Sequence, residues 1–379
     1  MRKNYLLTPG PTPLPPQVCE AMARPIIHHR TPQFQAELKE AEEGLKYVFQ
    51  TANDVFILAS SGTGAMESAV VNLLSPGDTV ITVEAGKFGE RWTEICKAYG
   101  ITCEVIRVPW GKAVDPADIA ATIKASGNKI KAVFTTLCET STGVTHDIRA
   151  IGGVVKDTAA VLVVDAISGL GAIPIAADEW SCDVVISGSQ KGLMLPPGLG
   201  FLSVSAKAWK LAAGAKCPRY YFDLIKAKKA LDKTDTAYTP AITLIIALNE
   251  ALRIMKQDTM EKIFIRHKKM ADAVRAAMAA LGLKLLAPDA ASDAVTAVKL
   301  PDGLDGDKLV KTMRDTYGVT IAGGQDALKG KLVRIAHMGY IEEFDIIAGI
   351  SCFEKVLAQM GYTFPLGAGV KAAEEVFLK

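Results

Sequence analysis

The segment from Val184 to Ser205 reads VVISGSQKGLMLPPGLGFLSVS. Two compact apolar runs, VVIS and GFLSVS, flank a loop of glycine, proline, serine and glutamine that carries a single lysine, Lys191. Apolar runs of this length bounded by turn residues read as buried strands. A lysine placed where such a strand ends, in apolar surroundings, loses hydration of its charged form. Its pKa falls, and the neutral amine becomes a nucleophile toward aldehydes. Any single lysine is far more often a solvated surface charge, so the meaning of Lys191 depends on the rest of the chain.

Working outward, residues 17 to about 205 alternate compact apolar runs with amphipathic stretches. The runs are DVFILAS (54–60), TVITVE (79–84), CEVIRV (103–108), IKAVFTTL (130–137), AVLVVD (160–165), DVVISG (183–188) and LGFLSV (199–204). The stretches between them include 65–74 and 147–158. This alternation predicts an α/β fold, a seven-stranded, mainly parallel sheet covered by helices on both faces. From Thr239 to about Leu283 the period turns helical, with a break near Gln257-Asp258. Beyond Pro288, strand-like pieces (AVTAVKL, GVTIAGG, KLVRIAH) mix with helical ones (306–317 and 342–360), as expected of a smaller α+β domain. The expected division is a proline-rich arm (1–16), a large domain (17–258) and a small C-terminal domain (259–379).

Composition narrows the function. The 379 residues are 49% hydrophobic and 22% charged, enough apolar material for a large buried sheet. Forty-three basic residues balance 41 acidic ones, and no basic run exceeds KAKK (226–229), which argues against a nucleic-acid partner. Seven cysteines, an odd number, are scattered without CxxC pairs or metal-like histidine spacing, so a reducing compartment and no metal are expected. No apolar run approaches a membrane span, and the N-terminus lacks the apolar core of a signal peptide. A cytoplasmic enzyme acting on small molecules fits best.

In α/β sheets ligands sit beyond the carboxyl ends of the strands. Three such ends are unusual here. After DVFILA, the turn SSGTGA feeds a helix, and its unpaired N–H groups and dipole suit a phosphate. The plainer alternative is a tight turn with Thr63 as helix cap. Gly62 and Gly64 do not complete GxGxxG, because Glu67 occupies the third position, and GxxxxGK[ST] is absent. This removes the nucleotide-dependent dehydrogenase that the alternating sheet alone suggests. Asp165 closes AVLVVD, where burial demands a cationic or hydrogen-bonding partner; a turn or capping aspartate is the alternative. Lys191 follows 26 residues later. A phosphate-friendly turn, a carboxylate and an amine at neighbouring strand ends match the needs of pyridoxal 5'-phosphate: an anchor, a partner for the ring nitrogen, and an amine for the aldehyde.

An ordered series of motifs carries a resemblance over nearly the whole chain: TPGPTPLPP, SGTGAMESAVVNLLSPGD, ETSTGV, VVDAISGLGAIP, SGSQKGLMLPPGLGF, YTPAI and LVRIAHMG. The sequence resembles the class V, fold-type I pyridoxal-phosphate aminotransferases, on the alanine–glyoxylate and serine–pyruvate branch. The resemblance implies that Lys191 is the Schiff-base lysine and Asp165 the partner of the ring nitrogen. It implies that Thr63, Gly64, Ala65 and Gln190 bind the phosphate, and that Thr239 does so from a neighbouring subunit, making the enzyme a homodimer. Phe88 would stack on the ring where the family often has tryptophan, Ile167 would press on the other face, and Thr140 would lie near the phenolic oxygen. Arg334 would grip the substrate α-carboxylate, and its planar fork suits that task. His28, His29 and Arg30 would lie near the substrate entrance or support the subunit contact. The implied reaction moves an amino group from alanine, serine or aspartate to glyoxylate or pyruvate.

Two other readings compete. A lyase or desulfurase of the same fold would carry histidine before the lysine and a late reactive cysteine, but Gln190 precedes Lys191 and no cysteine lies between Cys217 and Cys352. A non-catalytic subunit of a larger assembly would not need Lys191, Asp165 and Arg334 together.

Overall fold

A computed structural model describes residues 3–127 and 129–379. Its large sheet has seven strands: β1 (Val55–Ala59), β2 (Thr79–Glu84), β3 (Thr102–Arg107), β4 (Ile130–Thr136), β5 (Val161–Asp165), β6 (Val184–Gly188) and β7 (Leu199–Val204). Their spatial order is β1-β7-β6-β5-β4-β2-β3. Strands β3, β2, β4, β5 and β6 run parallel, and β7 is antiparallel to both β6 and β1. The α/β class and the seven predicted strands are therefore found, each within about a residue of its expected ends.

Side chains alternate between faces along each strand, and here both faces are dry. Leu162 and Val164 of β5 join one apolar core with Val133, Val185 and Phe201, while Val161 and Val163 join the other with Phe134, Ile186 and Leu202. The helices Pro32–Phe49 and Ile242–Asp258 cover the first face, and Gly62–Leu73 and Lys87–Ala98 cover the second. Local signals fix their ends. Pro32 starts its helix behind Thr31, whose side chain accepts from Phe34 N, and Gln50 ends it in the left-handed region at φ 51°.

A four-stranded antiparallel sheet follows, in the order β8-β9-β11-β10, formed by β8 (Lys284–Leu285), β9 (Val295–Lys299), β10 (Ala322–Gly323) and β11 (Leu332–Ala336). Its core holds Met270, Val274 and Met278 of the helix Met260–Ala280 with Phe353 and Leu357 of the helix Glu343–Gln359. The expected break falls at Thr259, at φ 65° between two helices, yet Met260 and Ile263 still pack with the large-sheet core. Two predicted pieces differ from expectation. GVTIAGG splits, with Val319–Thr320 pairing with Tyr5–Leu6 of the arm and Ala322–Gly323 pairing with β11. The helix from Gly306 widens into a π turn over Met313–Tyr317 and stops at Gly318, φ 74°.

The arm is integrated rather than free. Leu7 is buried in the core of the four-stranded sheet, and its carbonyl accepts from Ala336 N at 2.9 Å. From there the arm crosses to Lys191.

Gly192 leaves no room for a side chain. A Cβ there would lie 2.3 Å from Leu170 O and 3.0 Å from Gly171 C. Gly192→Ala should force the Lys191 loop away from the 169–173 turn at a cost of about 1–3 kcal/mol, read as a lower urea midpoint; an unchanged midpoint would show that the loops are not in rigid contact.

Candidate active site

Lys191 sits three residues past β6, in a loop closed by its own neighbours. Ser189 N donates to Leu199 O at 2.9 Å, Leu199 N donates to Ser189 Oγ at 3.1 Å, and Ser189 Oγ donates to Pro196 O at 2.6 Å. The arm secures the lysine from the other side. Lys191 Nζ donates to Pro9 O, and Thr12 Oγ1 donates to Lys191 O at 3.0 Å. Gly10, at φ +100°, is required at this crossing, because a Cβ would lie 2.5 Å from Lys191 Cδ and Cε. Burial lowers the Lys191 pKa to about 8, against the opposing pull of Asp165; Arg334 and Arg91 lower it further. The lysine is partly buried, and its amine gains a substantial neutral fraction near pH 8.

Asp165 ends β5 beside it and is 5% exposed. Its Oδ1 accepts from Ile167 N at 2.8 Å, so it does close a turn, but Oδ2 has no hydrogen-bond partner among the described residues. Burial raises its pKa to about 7, and Glu139 adds to the rise, while the Ile167 bond and the charges of Arg91 and Lys191 oppose it. A buried carboxyl with one oxygen unsatisfied is suited to receive a cationic N–H.

The turn after β1 delivers the helix Gly62–Leu73 with Ser61 as N-cap and no side-chain cap. Thr63 is therefore not the cap. Its hydroxyl instead accepts from Arg91 Nη1 at 3.3 Å. Glycine is enforced at this terminus: a Cβ on Gly62 would meet Ile167 Cδ1 at 2.5 Å, and one on Gly64 would meet Ser60 Cβ at 2.8 Å. Gly64 N and Ala65 N already turn back to Ser61 O, at 3.0 and 3.3 Å, whereas Gly62 N and Thr63 N have no partner among the described residues. Gln190 Oε1 is buried without a partner, and a Cβ on Gly188 would lie 3.1 Å from it and 3.5 Å from Gly62 N. Free amide donors and a hydroxyl thus gather where an anion would sit, and Gln190 adds a donor there once its side-chain amide turns to present Nε2 in place of Oε1.

Phe88 opens the helix Lys87–Ala98, whose N-cap, Gly86, has no capping side chain. Glu139 does that work from the loop after β4. Its carboxylate accepts from Phe88 N at 3.1 Å, Gly89 N at 2.9 Å, Ser141 N at 3.2 Å and Ser141 Oγ at 2.5 Å. Burial raises its pKa, and these donors hold it down. Thr140 follows, its hydroxyl 2.5 Å from Ser168 Oγ. Arg334, on β11 and 7% exposed, donates through Nη1 to Thr140 O at 3.1 Å and through Nε to Gly323 O at 2.9 Å. Burial lowers its pKa, Glu139 opposes that, and no carboxylate pairs with it among the described residues. Nη2 stays available to an anion.

Lys191, Asp165, Thr63, Gly64, Ala65, Gln190, Phe88, Thr140, Ile167 and Arg334 thus occupy linked positions at one end of the sheet. Thr239 does not join them. It is exposed, in a loop lining a cavity along β1 with Ala59 and Tyr221, and no hydrogen bond links it to the others. Arg30 forms an ion pair with Asp235 in that same loop, and His28 stacks on His29 at 4.7 Å. Reading the sequence missed Glu139, Arg91 and the Pro9 carbonyl. Glu139 had a signal in being the one carboxylate of ETSTGV, whereas a backbone carbonyl has none.

A family model, aminotransferase class-V, matches residues 4–342. The chain belongs to the class-V aminotransferase family. It is 46% identical over 378 residues to a protein of Synechococcus sp. (strain PCC 6716) named soluble hydrogenase, small subunit, covering 99% of this chain and 98% of the relative. It is 38% identical over 380 residues to the L-aspartate--glyoxylate aminotransferase of Paracoccus denitrificans, covering 98% and 96%. Among solved structures it superposes on the ureidoglycine-glyoxylate aminotransferase of Bacillus subtilis with a TM-score of 0.95 at 30% identity, covering 100% and 99%. In this aminotransferase chain, no helix among the described residues is long and apolar enough to cross a membrane, and no group of three or more His, Cys, Asp or Glu is placed to hold a metal ion.

Asp165 gives a pH test. Its folded pKa, about 7, lies above the ordinary 3.8, so its contribution to stability is full below pH 3.8 and is lost as pH rises toward 7. In ligand-free protein, Asp165→Asn should therefore gain in urea midpoint relative to wild type between pH 5 and pH 8. An equal difference at both pH values would mean that the carboxyl is not desolvated.

Proposed function

We propose that the chain is a pyridoxal-phosphate-dependent aminotransferase that moves an amino group from a small amino acid, such as alanine, serine or aspartate, to a 2-oxo acid, glyoxylate or pyruvate. The observation that carries this reading is the pairing of a partly buried amine of lowered pKa, Lys191, with the half-satisfied buried carboxyl of Asp165 at the ends of adjacent strands. The residues fit the cofactor. The helix terminus with free Gly62 and Thr63 amides, Thr63 Oγ1 and Gln190 Nε2 would hold its phosphate, Asp165 Oδ2 would take the ring nitrogen, Phe88 and Ile167 would flank the ring, and Lys191 would meet the aldehyde. When bound, this cofactor supplies a carbonyl that exchanges amines and a cationic ring that draws electrons from the donor's Cα.

The chain's own residues do the rest. Arg334 takes the donor's α-carboxylate through the face of its guanidinium that the Gly323 and Thr140 carbonyls leave free, and so orients the Cα–H bond. Lys191 Nζ, through the neutral fraction that its lowered pKa makes available, would take the Cα proton and return it to the carbon on the other side of the amino nitrogen. The Pro9 carbonyl holds that amine when it is idle, and the arm keeps water from it. The amino group passes first from donor to site and then from site to acceptor, a ping-pong order.

Thr239, Tyr220 and Tyr221 are exposed, and half-buried Tyr238 stacks on Tyr221 at 5.1 Å. An exposed aromatic patch continuous with an unplaced phosphate residue supports a homodimer in which Thr239 completes the partner's site. A second reading, a subunit of a larger assembly, rests on the name of the Synechococcus relative. A purely structural subunit has no use for a desolvated amine, a half-satisfied carboxyl and an unpaired buried guanidinium. A cytoplasmic location is part of the proposal.

Lys191→Ala should lower turnover by at least about 100-fold in a protein of unchanged secondary structure, and retained turnover would refute the assignment. Arg334→Ala should raise KM for the amino donor by roughly 30-fold or more, measured by single-turnover absorbance across a panel of amino acids; an unchanged KM would remove its role.

A further inference from the structure

Arg91 is a guanidinium at the site to which the reading above gives no task. It lies one turn along the helix from Phe88, with its guanidinium carbon 5.0 Å from the centre of the Phe88 ring and Nη1 3.3 Å from Thr63 Oγ1. The first contact is a cation–π geometry, which fixes the side chain without satisfying its charge. Arg91 forms no ion pair among the described residues, although nearby Lys87 on the same helix pairs with both Glu90 and Asp326. Arg91 is half-buried, and its charge has no anionic partner among the described residues.

The groups gathered for the cofactor's phosphate show what is lacking. Thr63, Gly64, Ala65, Gln190 and Thr239 are all neutral, and a helix N-terminus supplies only about half a positive charge. A phosphate near two negative charges would have no full counter-charge among them. Arg91 already touches Thr63, the hydroxyl of that set. Arg334 cannot take its place, because it is bound to the Thr140 and Gly323 carbonyls on the substrate side. We propose that Arg91 is the counter-cation of the cofactor's phosphate, reaching it across Thr63 and bracing the Phe88 ring on the way. The field of Arg91 also has the right sign at both reacting groups. It lowers the pKa of Asp165, favouring the carboxylate, and that of Lys191, favouring the neutral amine.

This inference rests on the pyridoxal-phosphate reading, and the test separates the two. Ligand-free wild type, Arg91→Gln and Arg91→Lys are titrated with pyridoxal 5'-phosphate and with pyridoxal, which has the same ring and aldehyde but no phosphate, and binding is read from visible absorbance and tryptophan fluorescence. Loss of one charge-assisted hydrogen bond corresponds to about 10- to 100-fold in Kd. Arg91→Gln should weaken pyridoxal 5'-phosphate binding by that factor and leave pyridoxal binding within about threefold of wild type, while Arg91→Lys recovers most of the loss. Pyridoxal binding also reports that the variant is folded. Equal losses for both compounds would reduce Arg91 to a support for Phe88 and overturn the proposal. So would unchanged binding of both with a raised KM confined to aspartate, which would place Arg91 on the donor's second carboxylate. Failure of the wild-type chain to bind either compound would overturn the parent reading, and the proposal with it.

Discussion

Putting a full charge out of water at the end of a buried strand demands compensation, and how far the chain supplies it separates the structural charges from the functional ones. Glu139, fully buried, receives four donors and is satisfied; its work is to cap the helix that carries Phe88 and Arg91. Asp165, nearly as buried, receives one donor. Arg334 is given two neutral carbonyls and no anion. Left like this, Asp165 and Arg334 cost stability, which is tolerable in a chain with three extensive cores and useful only if a ligand completes them.

The site also unites parts of the chain that are far apart in sequence. Lys191 belongs to the large sheet, Arg334 to the second sheet, and Pro9 and Thr12 to the arm, yet hydrogen bonds tie each to the next: Pro9 and Thr12 to Lys191, Arg334 to Thr140, and Leu7 to Ala336. The arm is the hinge of this arrangement. One end pairs with Val319–Thr320 beside the second sheet, and four residues later it lies against the lysine of the first. Displacing either sheet would move the amine relative to the guanidinium, and the ties that set their spacing each end on a backbone carbonyl, of Pro9, Lys191, Thr140 or Leu7.

Much of this was legible in the sequence, for identifiable reasons. The strands of the large sheet are buried on both faces and so appear as unbroken apolar runs, which made VLVVD and VVISG unambiguous. Lys191 and Asp165 were visible because ionisable residues at the ends of such runs are conspicuous, whereas Arg334, in the middle of LVRIA, was assigned through the family resemblance. What depends on a neighbour distant in sequence was not visible. GVTIAGG has a strand's composition, but its halves serve different sheets because the arm claims Val319–Thr320. Thr63 looks like a cap until Ser61 is seen in that position and Arg91 on its hydroxyl. Arg91 itself, within GERW, has the pattern of an ordinary helix-surface residue.

The same logic explains why the fold and chemistry are easier to read than the identity of the amino donor. In the proposed reaction Arg334 takes the α-carboxylate and Lys191 acts at Cα, groups that every amino acid presents. Discrimination between donors must come from surfaces facing the side chain, and the two segments secured beside Lys191 and Arg334 are the arm from Thr8 to Thr12 and the turn after Gly323. Both are held through backbone groups: Pro9 O and Lys191 O in the first case, Gly323 O in the second. Apart from Thr12, whose hydroxyl holds Lys191 O, and Gly10, where a Cβ would strike Lys191, side chains on these segments can therefore change without disturbing the atoms that position the amine and the guanidinium. A family built this way keeps its chemistry fixed while its donors diverge, which is why relatives named for different donors share nearly the whole length of this chain.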